Sequence, residues 1–401
     1  MVDWKEELRR STYILPKFTF RCLGLSVNEN ESTVYKAYSY LMIITGFLFS
    51  CTSLHLVVQN LNNYDIIISG MFNVVGGFAA FLKIVVIKYN SKRLKKIFDN
   101  LRQIQYRRNK EKWVEEETYR KNKLMMALLV GFYTTLFAFY AVTLLRRIFI
   151  ADSSKWILPI SDFSLFNTSY SPNFEIAWLY HCIGPTMTAS GFCITDFLIA
   201  SLIIDVTMQY KILRGNIKKH FIVIAGIEEN NELSNDEKYQ YLKKIIEGIV
   251  TQHLSIINIT NDLNEMCSGL LLIAVTASMG IMAFSSYYAS VLPMLSTAAF
   301  LSYFEVSAVA STLFLMCYFG THLSIATENI ASTLYKMDFV GLDIRFQKSL
   351  MLIIMRSQKP CWLTIGGFSD LSIGVFAWII RNTYSYLMIL RKNTQVKENI
   401  H

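Results

Sequence analysis

The feature that most restricts this chain is a series of long stretches without charge. Met266 to Phe304 runs for 39 residues with no Asp, Glu, Lys or Arg. A bilayer core of about 30 Å needs roughly 20 apolar residues in a helix. The run is therefore too long for one span. Pro293 divides it, because proline cannot donate its amide and breaks a helix interior. Four runs precede it: Ala37 to Val58; Ile66 to Leu82, interrupted by Lys83 before Ile84 to Ile87; Leu124 to Leu145; and Ile176 to Thr195, continued past Asp196 to Ile204. The helix after Pro293 continues past Glu305 to about Ile325. A last one runs from about Trp362 to Leu390 and contains Asp370 and Arg381. Seven transmembrane helices are expected, in an all-α integral membrane protein.

Composition supports that class. Hydrophobic residues make up 53% and charged residues 17%, against about 25% charged in soluble chains. This argues against an ordinary soluble enzyme and against disorder. The seven cysteines, at 22, 51, 182, 193, 267, 317 and 361, lie mostly in or beside apolar runs and form no CxxC pair, so a disulfide framework is not expected. Met1 to Arg10 is charged and lacks the apolar core of a cleavable signal peptide.

The net charge of +9 could suggest a nucleic-acid partner. Here the basic residues fall between spans and report topology instead, and no nucleic acid is expected. The first, third, fifth and seventh polar segments carry five, thirteen, seven and five Lys or Arg, 30 in all. The alternate segments carry none, three, none and three, a total of 6. Cytoplasmic loops collect Lys and Arg. The N-terminus is therefore expected in the cytoplasm, and seven spans put the C-terminus outside. A G-protein-coupled receptor has the reverse arrangement. Of three glycosylation sequons, at Asn30, Asn167 and Asn258, only Asn167 falls in an expected outer loop.

Two cytoplasmic segments read as helices. Lys92 to Arg120 is rich in Lys, Glu, Leu and Ile. Asp236 to Ile257 places Tyr239, Leu242, Ile245, Ile246 and Ile249 on one helical face. Either is a solvated helix with one packed side, or part of a packing platform under the bundle.

Enzyme chemistry finds little support. There is no Gly-rich phosphate loop and no nucleophile elbow, and the six histidines lack metal-site spacing. No cofactor or metal is expected. Gly76-Gly77 and Gly366-Gly367 suit close helix packing. Lys83, Asp196, Glu305, Asp370 and Arg381 stand at membrane depth. Such groups usually face a bundle interior or water, or snorkel to an interface.

The C-terminal stretch carries the most specific pattern. It reads Arg356-Ser357-Gln358-Lys359-Pro360, then Leu363-Thr364, Gly366-Gly367-Phe368, Leu371, Phe376, and Thr383-Tyr384-Ser385-Tyr386-Leu387-Met388-Ile389-Leu390-Arg391. This resembles the ending of the insect odorant receptors: an R-S-Q-K-P element, a G-G-F element and a T-Y-S-Y-F-x-x-L-R-like close. Ala331, Leu334 and Tyr335 resemble the preceding helix. Met337-Asp338-Phe339 departs from the family, which usually has a Trp shortly after the Tyr. The motif match covers roughly residues 320–391.

The resemblance implies a subunit of a tetrameric, odorant-gated, non-selective cation channel at the plasma membrane of olfactory sensory neurons. The variable subunit binds a small volatile odorant, and a shared odorant receptor co-receptor completes a heterotetramer. Mapped here, residues 1–325 hold helices one to six and the pocket, and residues 326–401 hold a cytoplasmic anchor and the pore helix. Arg345 to Ser357 would be the anchor, broken at Pro360, where the residue before proline also disfavours helix. Leu387 falls at the gate, with Thr383, Leu390 and Arg391 also candidate pore residues. A ring of apolar side chains can close a pore by dewetting. A ring of Arg391 would repel cations unless it turns aside or is diluted by a different subunit.

The same resemblance puts the odorant among the outer halves of helices two to six. The candidates are Phe72; Phe139, Tyr140 and Thr143; Met187 and Gly191; Tyr287 and Tyr288; and Phe300, Tyr303 and Phe304. A volatile ligand gains affinity mainly from buried area, about 25 cal/mol per Å², and aromatic walls supply area cheaply. Each of these side chains could equally be core or lipid-facing. The rival readings are a gustatory-receptor-like channel, whose usual T-Y-x-x-x-x-x-Q-F ending is missing here; a G-protein-coupled receptor, opposed by the charge bias; and a secondary transporter, for which no inverted repeat is visible.

Overall fold

A computed structural model of the chain describes residues 14–22, 24, 31–62, 64–106, 112–150, 156, 158–159, 168–229, 234–293 and 296–398. It is helical almost throughout. The helices are α1 (Ile14–Cys22), α2 (Thr33–Gln59), α3 (Tyr64–Tyr89), α4 (Ser91–Tyr106), α5 (Lys112–Phe149), α6 (Asn173–Glu229), α7 (Asn235–Val291), α8 (Thr297–Tyr335), α9 (Ile344–Ser357) and α10 (Ile373–Glu398). A two-strand hairpin, β1 (Thr364–Ile365) and β2 (Ser369–Asp370), precedes α10. By length and composition, α2, α3, α5, α6, α7 and α8 can each cross a membrane. Helix α10 has 26 residues, or about 39 Å at 1.5 Å per residue, so it too can cross, although it carries Arg381 and Asn382.

Local signals set the boundaries. Pro293 does divide the longest apolar run: α7 stops at Val291 and α8 starts at Thr297, where Ser296 accepts a hydrogen bond from the Ala299 amide. Helix α7 opens on a capping box. The Ser234 hydroxyl accepts from the Glu237 amide, and the Glu237 carboxylate accepts from the Ser234 amide. Replacing Ser234 by Ala is expected to cost about 1 kcal/mol at that end. Amide exchange in the first turn of α7 should quicken about fivefold while the membrane half is unchanged.

Long helices reach beyond one bilayer thickness. At 57 residues each, α6 and α7 are about 85 Å long. The protruding half of α7 packs with α4 and α9 in a second layer, and α8 also meets α9 there. Leu242, Ile246 and Ile249 of α7, Leu94, Ile97 and Leu101 of α4, and Phe346, Leu350 and Ile353 of α9 belong to one buried core continuous with the bundle. So Asp236 to Ile257 is a packed helix with one buried face, and Lys92 to Arg120 holds two helices rather than one. Asp343 caps α9 through the Arg345 amide, and the Arg345 side chain beside it holds its carboxyl below the usual range.

The last helix departs from expectation. It begins at Ile373, not near Trp362. Gly366 and Gly367 stand at φ +61° and +78°, a region open to glycine and strained for other residues. They turn the chain back so that Thr364 pairs with Asp370. Asp370 therefore lies on an exposed strand, off the helix that carries Arg381.

Candidate ligand site

At the end of the bundle away from α4 and α9, helices α3, α5, α6, α7 and α8 surround a cavity. It encloses about 810 Å³ of space, its open mouth included. Phe132, Leu136 and Tyr140 contribute one face of α5 at i, i+4, i+8 spacing, and Leu301, Phe304, Glu305 and Ala308 contribute one face of α8. Phe72 and Asn73 come from α3, and Phe192 from α6. The Phe132 and Phe304 rings stack across the gap at 6.0 Å and 19°.

Side-chain hydrogen bonds tie α5 to α6 beside this cavity. The Tyr140 and Thr186 hydroxyls lie 2.9 Å apart, and the Tyr133 hydroxyl donates to Ser190 at 2.8 Å. The Trp178 indole donates to the Thr143 hydroxyl at 3.0 Å. Deeper in the bundle Lys83 and Asp196 form an ion pair at 2.7 Å, with side chains 0% and 1% exposed. The ammonium also stands 3.4 Å above the Phe192 ring. Lys83 thus neither snorkels nor faces lipid; it joins α3 to α6.

The structure sorts the sequence candidates into groups. Phe72, Phe139, Tyr140 and Phe304 line the cavity. Met187 and Gly191 line a neighbouring groove of about 390 Å³ between α2, α3 and α6, which shares Gly77 and Thr188 with the cavity. Thr143 and Tyr287 are buried in helix contacts and Tyr288 is part-buried; none of the three is on the wall. Phe300 and Tyr303 are 64% and 48% exposed. At 100° per residue, Tyr303 points nearly opposite to the cavity face of α8. Sequence reading missed Phe132, Leu136, Asn73 and the wall position of Glu305. The periodicity of α5 contained the first two, but which face of α5 meets a cavity depends on the neighbouring helices.

Helix α10 packs on α7 and α8. Thr383 is buried, Leu387 is part-buried and Arg391 is exposed. The Leu390 side chain and Asn167 lie outside the described residues. Helix α8 physically joins the cavity to the start of α10. Fifteen residues beyond Glu305, Gly320 lies against the Leu371 carbonyl, and the Thr321 hydroxyl accepts the Ile373 amide at 2.9 Å.

The sequence model of the family described as 7tm Odorant receptor matches residues 63–384. This chain belongs to the odorant receptor family. Of its Drosophila melanogaster relatives, odorant receptor 92a is 21% identical over 325 residues, covering 78% of this chain and 76% of that one. Odorant receptor 67a is 25% identical over 234 residues, covering 54% of this chain and 53% of that one. The chain thus spans three quarters of one relative and about half of the other. Among solved structures, the olfactory receptor OR5 of Machilis hrabei in complex with eugenol aligns with a TM-score of 0.77 over 97% of this chain and 100% of that chain, at 15% identity. A second OR5 structure gives 0.63 over 94% and 96%, at 16% identity. At such identities the likeness establishes a shared fold. This odorant receptor chain is accordingly a multi-pass helical membrane protein.

Proposed function

We propose that this chain is the odorant-binding subunit of a ligand-gated, non-selective cation channel. In this reading it works at the plasma membrane of olfactory sensory neurons, in a heterotetramer with the shared co-receptor. The observation that carries the reading is the aromatic cavity between α3, α5, α6, α7 and α8, in a fold whose solved relative is in complex with eugenol. The charge bias of 30 to 6 supports a cytoplasmic N-terminus, which puts the cavity in the outer half of the membrane and the α4–α9 layer inside. Residues 326–401 then act as anchor and pore segment, with Leu387 of α10 at the constriction.

Gating needs a ligand that binds the open arrangement better than the closed one. Helix α8 is the direct link. It forms a cavity wall at Phe304 and Ala308 and seats the start of α10 at Gly320 and Thr321. A ligand that displaces the wall can therefore shift the pore helix.

The test is whole-cell current during a panel of volatile compounds, with the chain expressed alone and with the co-receptor. A cation current is expected with the partner present. Ala308→Phe, which fills the cavity, should lower the response at least tenfold at unchanged surface level. A full response from the filled cavity would place the odorant elsewhere, and a C-terminal tag found inside intact cells would overturn the seven-span topology.

A further inference from the structure

The wall of the cavity is not uniformly apolar. Glu305 stands among its nineteen lining residues, which include no Lys, Arg or His. The carboxylate accepts one hydrogen bond, from the Ser285 hydroxyl to Oε2 at 3.3 Å. No cation pairs with it among the described residues. The acidic group deeper in the bundle, Asp196, already has its partner in Lys83. The Lys83 ammonium covers one face of Phe192 and is itself fully buried, so it is not available to Glu305. Tyr140 of α5 lines the same space, with its hydroxyl 2.9 Å from that of Thr186.

A carboxylate at membrane depth is costly without a partner. Among the described residues Glu305 has none beyond one hydroxyl. The chain surrounds the same space with the side chains of Phe72, Phe132, Phe139 and Phe304. Aromatic walls with a carboxylate are what an organic ammonium needs: the rings attract the cation through their quadrupole, and the carboxylate accepts its N–H donors in a charge-assisted bond. A purely apolar cavity would discriminate ligands by size and shape only. This one carries a single acidic side chain among its lining residues, Glu305, bonded by Ser285.

We infer that the cavity recognises a small volatile amine, with Glu305 accepting the ammonium and the Phe72–Phe132–Phe139–Phe304 walls packing its hydrocarbon part. The inference rests on the reading of this cavity as the odorant site. Ser285 is a positioning residue, since it acts through Glu305. Asn73 of α3 is a further polar residue of the same lining.

The experiment compares two probes of equal shape, 2-phenylethylamine and 2-phenylethanol, in cells expressing this chain with the co-receptor. Surface levels are measured by biotinylation. The amine should act at a half-maximal concentration about 10- to 100-fold below that of the alcohol, as a charged hydrogen bond predicts. Glu305→Gln should bring the ratio to about one, and Glu305→Asp, which keeps the charge, should retain the preference at lower potency. If the alcohol equals or exceeds the amine on the unaltered chain, the inference falls, whether or not any variant reaches the surface. An unchanged ratio in Glu305→Gln also overturns it. Responses to neutral volatiles without any to the amine leave the odorant reading standing and remove the amine. Silence towards all volatiles, with both subunits at the surface, overturns both.

Discussion

Replacing Lys83 by Ala will leave Asp196 as an unpaired charge in the interior of the bundle, and the chain is expected to lose most of its folded, surface-delivered population. The pair is closed at 2.7 Å with both side chains out of contact with solvent, and Asp196 Oδ2 has no hydrogen-bond partner among the described residues to compensate. Breaking a buried pair from one side costs about 3–5 kcal/mol, whereas replacing both partners by apolar groups of similar volume is often neutral. Lys83→Ala and Asp196→Ala should therefore each be severe, and Lys83→Met combined with Asp196→Leu should recover most of the loss. The measurement is thermal unfolding in detergent, together with the surface fraction, across the full double-mutant cycle. Additive losses in the double variant would mean that the pair has no energetic coupling. The charges also join α3 to α6 next to Phe192 and Cys193 on the cavity wall, so the restored double variant is expected to fold and to respond to ligand with altered potency.

Gly320→Val should uncouple the cavity from the last helix. A β-carbon at Gly320 would lie 2.6 Å from the Leu371 carbonyl oxygen and 2.9 Å from the Leu371 side chain. The carbonyl is backbone and cannot turn away, so α8 and the segment entering α10 must separate. Overpacking of this kind costs about 1–3 kcal/mol. Here it falls where the Leu371 amide also bonds the Leu363 carbonyl at 2.7 Å and the Ile373 amide bonds Thr321. Maximal ligand-evoked current is expected to drop at least tenfold, with a smaller change in surface level. Gly131 in α5 is the control. A β-carbon there meets nothing within 4 Å, and Gly131→Ala should stabilise its helix by up to about 1 kcal/mol. Wild-type current from Gly320→Val would show that this contact does not carry gating.

Much of the architecture is legible along the chain because hydropathy is a one-dimensional quantity. The lipid-crossing runs and the division at Pro293 follow from composition and proline, and the helix ending at Ser357 sits where the motif before Pro360 put it. The start of the last helix was not legible from apolar content. Trp362 to Leu371 is apolar enough to join the span, but two glycines at positive φ turn it into a hairpin. The candidate pocket was legible by region and not by face. Phe304 and Glu305 line the cavity while Tyr303, on the same turn of α8, faces outward.

By itself the sequence determined how many segments could cross a bilayer, where proline would interrupt them and which connecting segments collect Lys and Arg. Each of these depends only on the composition of a short window. Tertiary structure alone decided that Lys83 meets Asp196 across 113 residues, that Glu305 lines a cavity whose described wall holds no cation, and that Gly320 rests on the Leu371 carbonyl. Those facts depend on which face each helix turns towards which neighbour, and that choice is made by the packing of all the helices at once.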